Sequence, residues 1–413
     1  MNIAYCSLLL PEEKKLSERT KKRLVGISVH KVTKAEIEGI DANLEKPVTI
    51  FNIINTLNYP HFPTLMFKTE KWSHTCGASD IHIGYINLFG IKYITQAHNL
   101  YKRLNAWVKS KKKEKCVVCV HESYYPAMKA AYKLKKKYKE QVVLCLNAGD
   151  IPGKTYGVYG SKKNLKQKLI EKFVCEKIME LAKGFDCFVF VTKNMAEAYD
   201  VQDKPFVVVE CVYSEPEYAL ENQVNPERED NTKVIFYAGA IREDYGIGHL
   251  LRAFSSIKDK NYRLIIAGGG AAEALVEEYA EKDSRIKFMG FISPQEVYRQ
   301  QQNATVLISP RLSNLEFVKY SFPSKSVDSL ASGKPYIAHK LPCDPEEYAD
   351  YIQYADDESD DGLKNKIIEV CELPEEVRAE IGQRARRFII EEKTPKKMTE
   401  EIVSLWLHMC EEC

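Results

Sequence analysis

The chain has no run of 18 apolar residues among its 413, so no segment reads as a membrane-spanning helix. It has no cysteine framework either. Its twelve cysteines are scattered through a chain long enough to build a core without staples, which points to a reducing compartment. Cys116 and Cys119 fall in a strand-like run, where positions three apart face opposite sides, so no metal or redox role is expected of them. The N-terminal MNIAYCSLLL has neither a basic stretch before its apolar run nor small cleavage-type residues, and is expected to be a first strand and not a leader. Net charge is nearly absent, at +2.

That average hides an asymmetry: residues 1–215 carry about +13 and residues 216–413 about −11. The basic half concentrates its lysines in three stretches, 109–115, 133–139 and 162–172. Any one of them suits a solvated helix face. Three in one half point to an anionic membrane surface, near which each lysine contributes roughly 1 kcal/mol. No nucleic-acid motif accompanies them, and the acidic second half suits no duplex track, so nucleic acid is not an expected partner. The acidic run Asp356 to Asp361 has no ordered spacing and reads as a solvated loop, and no strand-end carboxylate pair suggests a metal.

The length favours two domains. Strand-like runs (VTIFN near 50, CVVCV at 116–120, VVLCL at 142–146) alternate with helical periodicities, which implies α/β architecture with parallel sheets covered by helices on both faces. The helix over 92–110 is expected to face inward with Ile94, Ala97, Leu100, Leu104 and Trp107. Residues 214–232, rich in Pro, Glu and Asn, read as a linker. The expected division is 1–213 as a first Rossmann-like domain, 233–390 as a second, and 391–413 as a C-terminal helix. A ligand is expected in the cleft between the two domains.

The second half is organised around Ser309 to Tyr348. A strand ends at Ser309-Pro310-Arg311, a polar loop follows, and Phe322-Pro323-Ser324-Lys325 opens a helix that stops at Gly333. Such strand–loop–helix units hold anions at helix N-termini. Arg311 offers a planar fork for phosphate oxygens and Lys325 a point charge; the plain alternative is an ion pair with Glu316 or Asp328. Asp328, on the first turn, suits the two hydroxyls of a ribose or compensates the helix dipole. Gly268-Gly269-Gly270 lets backbone amides approach a phosphate, or serves only the turn.

Gly239, the run YGIGHLLRAF at 245–254, AGGG at 267–270, Pro310-Arg311, YSFPSK at 320–325 and LASGKP at 330–335 together resemble glycosyltransferase family 4. They are most similar to its bacterial capsular and exopolysaccharide branch, with the two-domain GT-B fold. The resemblance covers most of 233–355 and is weaker in the first half. It implies retaining transfer from a UDP- or GDP-sugar to a lipid-linked glycan at the cytoplasmic membrane face, with no cofactor and no metal.

It also assigns residues. Arg311 and Lys325 would neutralise the diphosphate, with Gly239, Gly246, Gly268, Gly270 and Ser324 supplying close backbone or amides, and Asp328 would hold the ribose. Tyr320 stands where the wider family has an acid, which leaves sugar recognition to the backbone of Ser321 and Phe322. The family's Arg and Lys after the first strand of this domain fall here on Ala240 and Tyr245, with Arg242 nearby as a substitute. His121 matches a position facing the donor sugar, and Asp150 one on the acceptor side. Two alternatives share the architecture: a sugar-nucleotide epimerase, and a binding subunit without chemistry.

Overall fold

The computed structural model describes residues 1–9, 27–155, 165–216 and 231–411. Most of the expected linker, and the start of the 162–172 lysine stretch, lie outside the described residues. The chain divides into two compact units, Met1–Val212 with Thr394–Cys413, and Tyr213–Lys393.

The first unit contributes β1 (Asn2–Ser7), β2 (Thr49–Asn52), β3 (Met66–Phe67), β4 (Glu70–Trp72), β5 (Asp80–His82), β6 (Tyr85–Ile86), β7 (Cys116–His121), β8 (Val142–Ala148), β9 (Cys187–Phe190) and β10 (Phe206–Val208). Eight form one sheet in the order β10-β9-β8-β7-β1-β2-β5-β4. Only the edge strand β4 runs antiparallel. Every residue of β7 and β8 is buried, the continuous apolar pattern of strands covered on both faces. Its helices are α1 (Ile27–Ala42), α2 (Ile91–Ser110), α3 (Tyr125–Tyr138), α4 (Leu165–Ala182) and α5 (Asn194–Tyr199). The chain moves one way along the sheet from β1 to β2 and the other way from β5 through β7 and β8 to β9. Right-handed crossovers therefore put α1 on one face and α2, α3 and α4 side by side on the other. The helices α2 and α3, and α3 and α4, pack against each other accordingly.

The face of α2 differs from expectation. Lys92, Gln96, Leu100, Leu104 and Val108 are buried, and Ile94 is exposed. Two polar residues take inward positions there, the Lys92 ammonium fully engaged and Gln96 bonded through its carbonyl alone, with its Nε2 buried and unbonded among the described residues. Lys92 Nζ donates to Asn55 Oδ1 at 3.1 Å and to the Thr56 carbonyl. The Gln96 carbonyl accepts the Tyr124 hydroxyl at 2.7 Å.

The second unit holds β11 (Lys233–Ala240), β12 (Tyr262–Gly269), β13 (Ile286–Phe288), β14 (Val306–Ser309), β15 (Tyr336–Ala338) and β16 (Gln353–Tyr354), all parallel, in the order β13-β12-β11-β14-β15-β16. The helices are α6 (Ile247–Ser256), α7 (Glu273–Lys282), α8 (Pro294–Asn303), α9 (Ser324–Ala331), α10 (Asp360–Glu372) and α11 (Glu375–Glu392). Ser293 caps α8, with Pro294 in its first turn. The acidic run is not merely a solvated loop: Ser359 Oγ accepts the Gly362 amide at 2.9 Å and Asp360 begins α10. The carboxylates there suit a helix N-terminus.

The last helix, α12 (Pro395–Glu411), returns to the first unit and packs on α1. Trp406 is fully buried in a core cluster with Ile3, Tyr5 and Ile40. Among the described residues no helix is long and apolar enough to cross a membrane.

Candidate functional site

In the second unit the chain reverses its march between β11 and β14, and loops from the two strands diverge there to leave room at the carboxyl edge. Arg311 follows β14 and is 7% exposed. Its Nη1 donates to the Ser321 carbonyl at 3.1 Å, and its guanidinium lies 4.4 Å from the Tyr245 ring centre and 5.1 Å from that of Phe317. Those two rings are themselves stacked at 5.9 Å. Two aromatic faces and one carbonyl hold the cation without neutralising it. Lys325, in the first turn of α9, donates from Nζ to the Ala238 carbonyl at the end of β11, at 3.0 Å. The residue as a whole is exposed, yet desolvation pulls the pKa of its ammonium down, with Asp328 working the other way. Among the described residues neither cation has a carboxylate within ion-pair distance, so the alternative pairings with Glu316 and Asp328 are not formed.

The other expected positions surround these two. Gly246 sits at φ +81 where a Cβ would lie 2.0 Å from the Pro310 carbonyl oxygen, so the turn before α6 admits only glycine beside the β14 loop. Gly268, at φ +136, would place a Cβ 1.8 Å from the carbonyl oxygen of Gly239. The Gly270 amide donates to Glu273 Oε1 at 2.6 Å, a loop amide satisfied by the first residue of α7. The spacing Gly270-x-x-Glu273 carries that capping signal in the sequence. Arg242 Nε donates to Asp244 Oδ1 at 2.8 Å, and its guanidinium lies 5.0 Å from the Tyr245 ring centre. It is thus engaged within its own turn. Tyr320 and Ser321 are half-buried, Phe322 packs against Tyr348, and Ser324 and Asp328 are exposed on α9.

The first unit reverses between β1 and β7, and His121 ends β7 there. His121 Nε2 lies 3.8 Å from Glu36 Oε2, and its Nδ1 is buried without a hydrogen-bond partner. Burial lowers its pKa to about 4. Glu36, on α1, accepts the Tyr5 hydroxyl at 2.7 Å and the Asn147 amide. Burial lifts its carboxyl to about 7, although both hydrogen bonds oppose the shift. Glu122 takes φ +64, a conformation that a non-glycine residue adopts at a cost of order 1–3 kcal/mol. Burial, then the charges of Asp150 and Glu36, raise its pKa to about 8. Asp150 is also raised, by burial, against a hydrogen bond from Thr155, and its carbonyl accepts the buried Tyr199 hydroxyl at 2.8 Å. Sequence reasoning named His121 and Asp150 and missed Glu36 and Glu122. The His-Glu pair at a strand end was a signal for Glu122. Nothing local marks Glu36, which reaches the cluster from a helix 85 residues upstream of His121 in the chain.

A further polar chain runs through the second unit. Arg252 Nε donates to Asp360 at 2.7 Å, Asp360 meets His249 Nδ1 at 2.6 Å, and His249 Nε2 meets His339 Nε2 at 3.0 Å. The carboxylate of Asp360 is held below its usual range by Arg252 and His249, against a burial penalty. Burial, reinforced by His249, lowers His339 to about 4. One of the facing nitrogens donates to the other, and the pair ties the segment just after β15 to α6 and α10.

Comparisons agree with this architecture. Residues 220–388 match the family described as Glycosyl transferases group 1. An uncharacterized glycosyltransferase of Methanocaldococcus jannaschii is 25% identical over 117 residues, which span 27% of this chain and 28% of that protein. Sucrose-phosphate synthase from Thermosynechococcus elongatus superposes with a TM-score of 0.64 over 99% of both chains at 12% identity. HepE of Anabaena, solved in complex with UDP, does so with a TM-score of 0.59 over 99% of this chain and 100% of its own, also at 12% identity. The fold is that of the GT-B glycosyltransferases, and the unit that carries Arg311 and Lys325 contains most of the segment matching Glycosyl transferases group 1.

Proposed function

We propose that this protein is a retaining, metal-independent glycosyltransferase that moves a sugar from a UDP- or GDP-sugar to a lipid-linked glycan, as a family 4 enzyme of surface polysaccharide synthesis. One observation carries the reading: Arg311 and Lys325 are held by carbonyls and aromatic faces, without a carboxylate partner among the described residues, at the strand reversal of the matched unit. A diphosphate is the ligand that such paired, unneutralised cations favour. As the bond from the sugar to the diphosphate breaks, negative charge grows on the leaving oxygen and both cations stabilise it. The acceptor hydroxyl attacks on the face the diphosphate leaves, and its proton passes to the departing phosphate. No protein nucleophile is required. Asp328 receives the ribose hydroxyls, and the backbone at Ser321 and Phe322 the sugar.

In the first unit, His121 is neutral and hydrogen-bonds without adding charge, while Asp150 and Glu122 contact acceptor hydroxyls. The protein works at the inner face of the plasma membrane. A UDP complex of a structural neighbour makes UDP-sugars the first donors to test. The experiment is a thermal-shift panel of UDP- and GDP-sugars followed by product analysis with and without a lipid-linked acceptor, in buffer containing EDTA. Binding of one donor and acceptor-dependent release of nucleoside diphosphate are expected. Turnover of donor alone would make the protein an epimerase or hydrolase. Loss of turnover in EDTA with recovery on adding Mg²⁺ would remove the metal-independent mechanism.

A further inference from the structure

Lys92 lies in the first turn of α2 and is 2% exposed. Its ammonium has three hydrogens to donate. Asn55 Oδ1 and the Thr56 carbonyl accept two of them. Among the described residues the third has no acceptor, and no carboxylate lies within ion-pair distance. The ring centres of Tyr85 and Tyr93 stand 6.0 Å from Nζ and bring no formal charge. Desolvation accordingly pulls the pKa down to about 8. The helix opposes a cation here as well. The start of α2 is the positive end of its dipole, its first turn holds no acid, and Gly90 ahead of it gives no side-chain cap. A buried charge without an opposite partner costs stability. The polar groups beside the ammonium are incomplete too. Gln96, one turn along the same buried face, is bonded through its carbonyl to the Tyr124 hydroxyl, while its Nε2 is buried and unbonded among the described residues. Thr56 Oγ1 is likewise buried without a partner there. Both side chains lie near the Tyr85 hydroxyl and favour its charged form, against the effect of burial. The surroundings of Tyr85 thus suit a negatively charged oxygen, and no acid supplies one.

We propose that this cluster, Lys92 with Gln96 and Thr56 at the start of α2, is a binding site for a phosphate ester carried by the acceptor. The chemistry selects the ligand. An ammonium, an amide N–H and a hydroxyl all donate to oxyanions, and the ammonium supplies the charge that makes such bonds strong. The free amides at a helix start add to the same preference. A metal ion or an amine would meet a cation instead. A carboxylate brings two oxygens to three donor groups, whereas a phosphate ester brings three. The cluster belongs to the same carboxyl edge as His121 and Asp150, since Asn55 and Thr56 follow β2 and Tyr124 follows β7. Tyr93 is 46% exposed, so a single ring stands between the ammonium and solvent and turns aside to admit the ester. The inference rests on the glycosyl-transfer reading and deepens it, because it names the group by which the first unit holds the acceptor.

The test is calorimetric titration of the full chain with glucose 1-phosphate, with glucuronate and with glucose. It is done in an Arg311→Ala, Lys325→Ala background, so that the cations of the second unit do not compete for the anion. Glucose 1-phosphate is expected to bind and glucose is not. Adding Lys92→Met should weaken glucose 1-phosphate binding on the order of tenfold to a hundredfold. The thermal midpoint should not fall below that of the background, because methionine fills the volume of the lysine stem without burying a charge. Gln96→Glu sets a carboxylate one turn from Lys92, and should abolish the binding while raising the midpoint. Absence of glucose 1-phosphate binding at millimolar concentration, or binding that both variants leave intact, would overturn the proposal and make Lys92 a strut between α2 and the Asn55–Thr56 segment. Tighter binding of glucuronate than of glucose 1-phosphate would overturn the assignment to phosphate. Donor binding by the wild type in the thermal-shift panel is read separately: its absence would sink the transferase reading and leave the anion titration standing.

Discussion

The two units share a topology and differ in the charge placed at the point where strand order reverses. In the second unit that point holds two cations, Arg311 and Lys325, braced by carbonyls and rings. In the first it holds a histidine kept neutral and acids, Glu36, Glu122 and Asp150, whose pKa values are raised. One architecture therefore places two cations at the reversal in one unit, and in the other a neutral imidazole beside acids that burial makes easier to protonate. The sheet supplies the location, and a few residues at strand ends decide which ligand it suits. The contrast within the first unit is as sharp. His74 bridges Asp41 Oδ2 at 2.8 Å and Asp80 Oδ2 at 2.7 Å, so those two acids have a cationic partner, while among the described residues Glu36 and Glu122 meet neutral groups or like charges.

The comparison breaks most directly at the cations. Arg311→Ala and Lys325→Ala are each expected to lower kcat/KM for transfer by about 10²–10³, with circular dichroism unchanged. Near-normal turnover of either variant would place the diphosphate elsewhere. Next in size is the acid pair with a partner. Burial opposes the charge on His74, but its hydrogen bonds to Asp41 and Asp80 outweigh it and hold the pKa at about 9. A raised histidine pKa adds stability that is complete below about pH 6.5 and lost as pH rises through about 9. His74→Phe should therefore cost on the order of 2–3 kcal/mol near pH 6 and much less near pH 10. Urea unfolding across that range reads the difference, and a pH-independent cost would mean that His74 only fills space.

A smaller effect of opposite sign is expected at Glu122. Its carboxyl titrates near 8 in the folded protein, so stability falls as pH rises from about 4.5, where the unfolded chain loses its proton. Glu122→Gln should flatten that slope and stabilise the protein by on the order of 1–2 kcal/mol near pH 8, measured by the same unfolding series. A variant less stable than the wild type at pH 8 would show that the carboxyl is ionised and paired. The smallest change is expected at Glu273→Gln. Weakening the hold on the Gly270 amide should tighten nucleotide-sugar binding by about threefold or less if that amide turns to a phosphate. Unchanged affinity would leave the glycine loop with a role in the turn alone.

Much of the fold was legible because its elements are periodic and punctuated. The buried strands read as continuous apolar runs, and Gly333 lies just past the end of α9. The face of α2 was not legible, since Lys92 and Gln96 are polar by type, and the groups that bond the Lys92 ammonium and the Gln96 carbonyl are distant in sequence. The cations of the second unit could be named from their place beside a strand end and a helix start, both local features. The aromatic support from Tyr245 and Phe317, the capture of the Gly270 amide and the reach of Glu36 to His121 all depend on segments brought together by folding. Periodicity carries no information about such meetings.

The return of α12 to the first unit also dictates an order of assembly. A ribosome delivers β1 before the second unit and Trp406 after it. Until α12 emerges, the apolar face that α1 shares with β1, β7 and β8 has no cover, although every strand of that sheet already exists. The first unit is thus the earlier one to be made and the later one to be finished, and its nascent form presents sticky surface for as long as the second unit takes to synthesise.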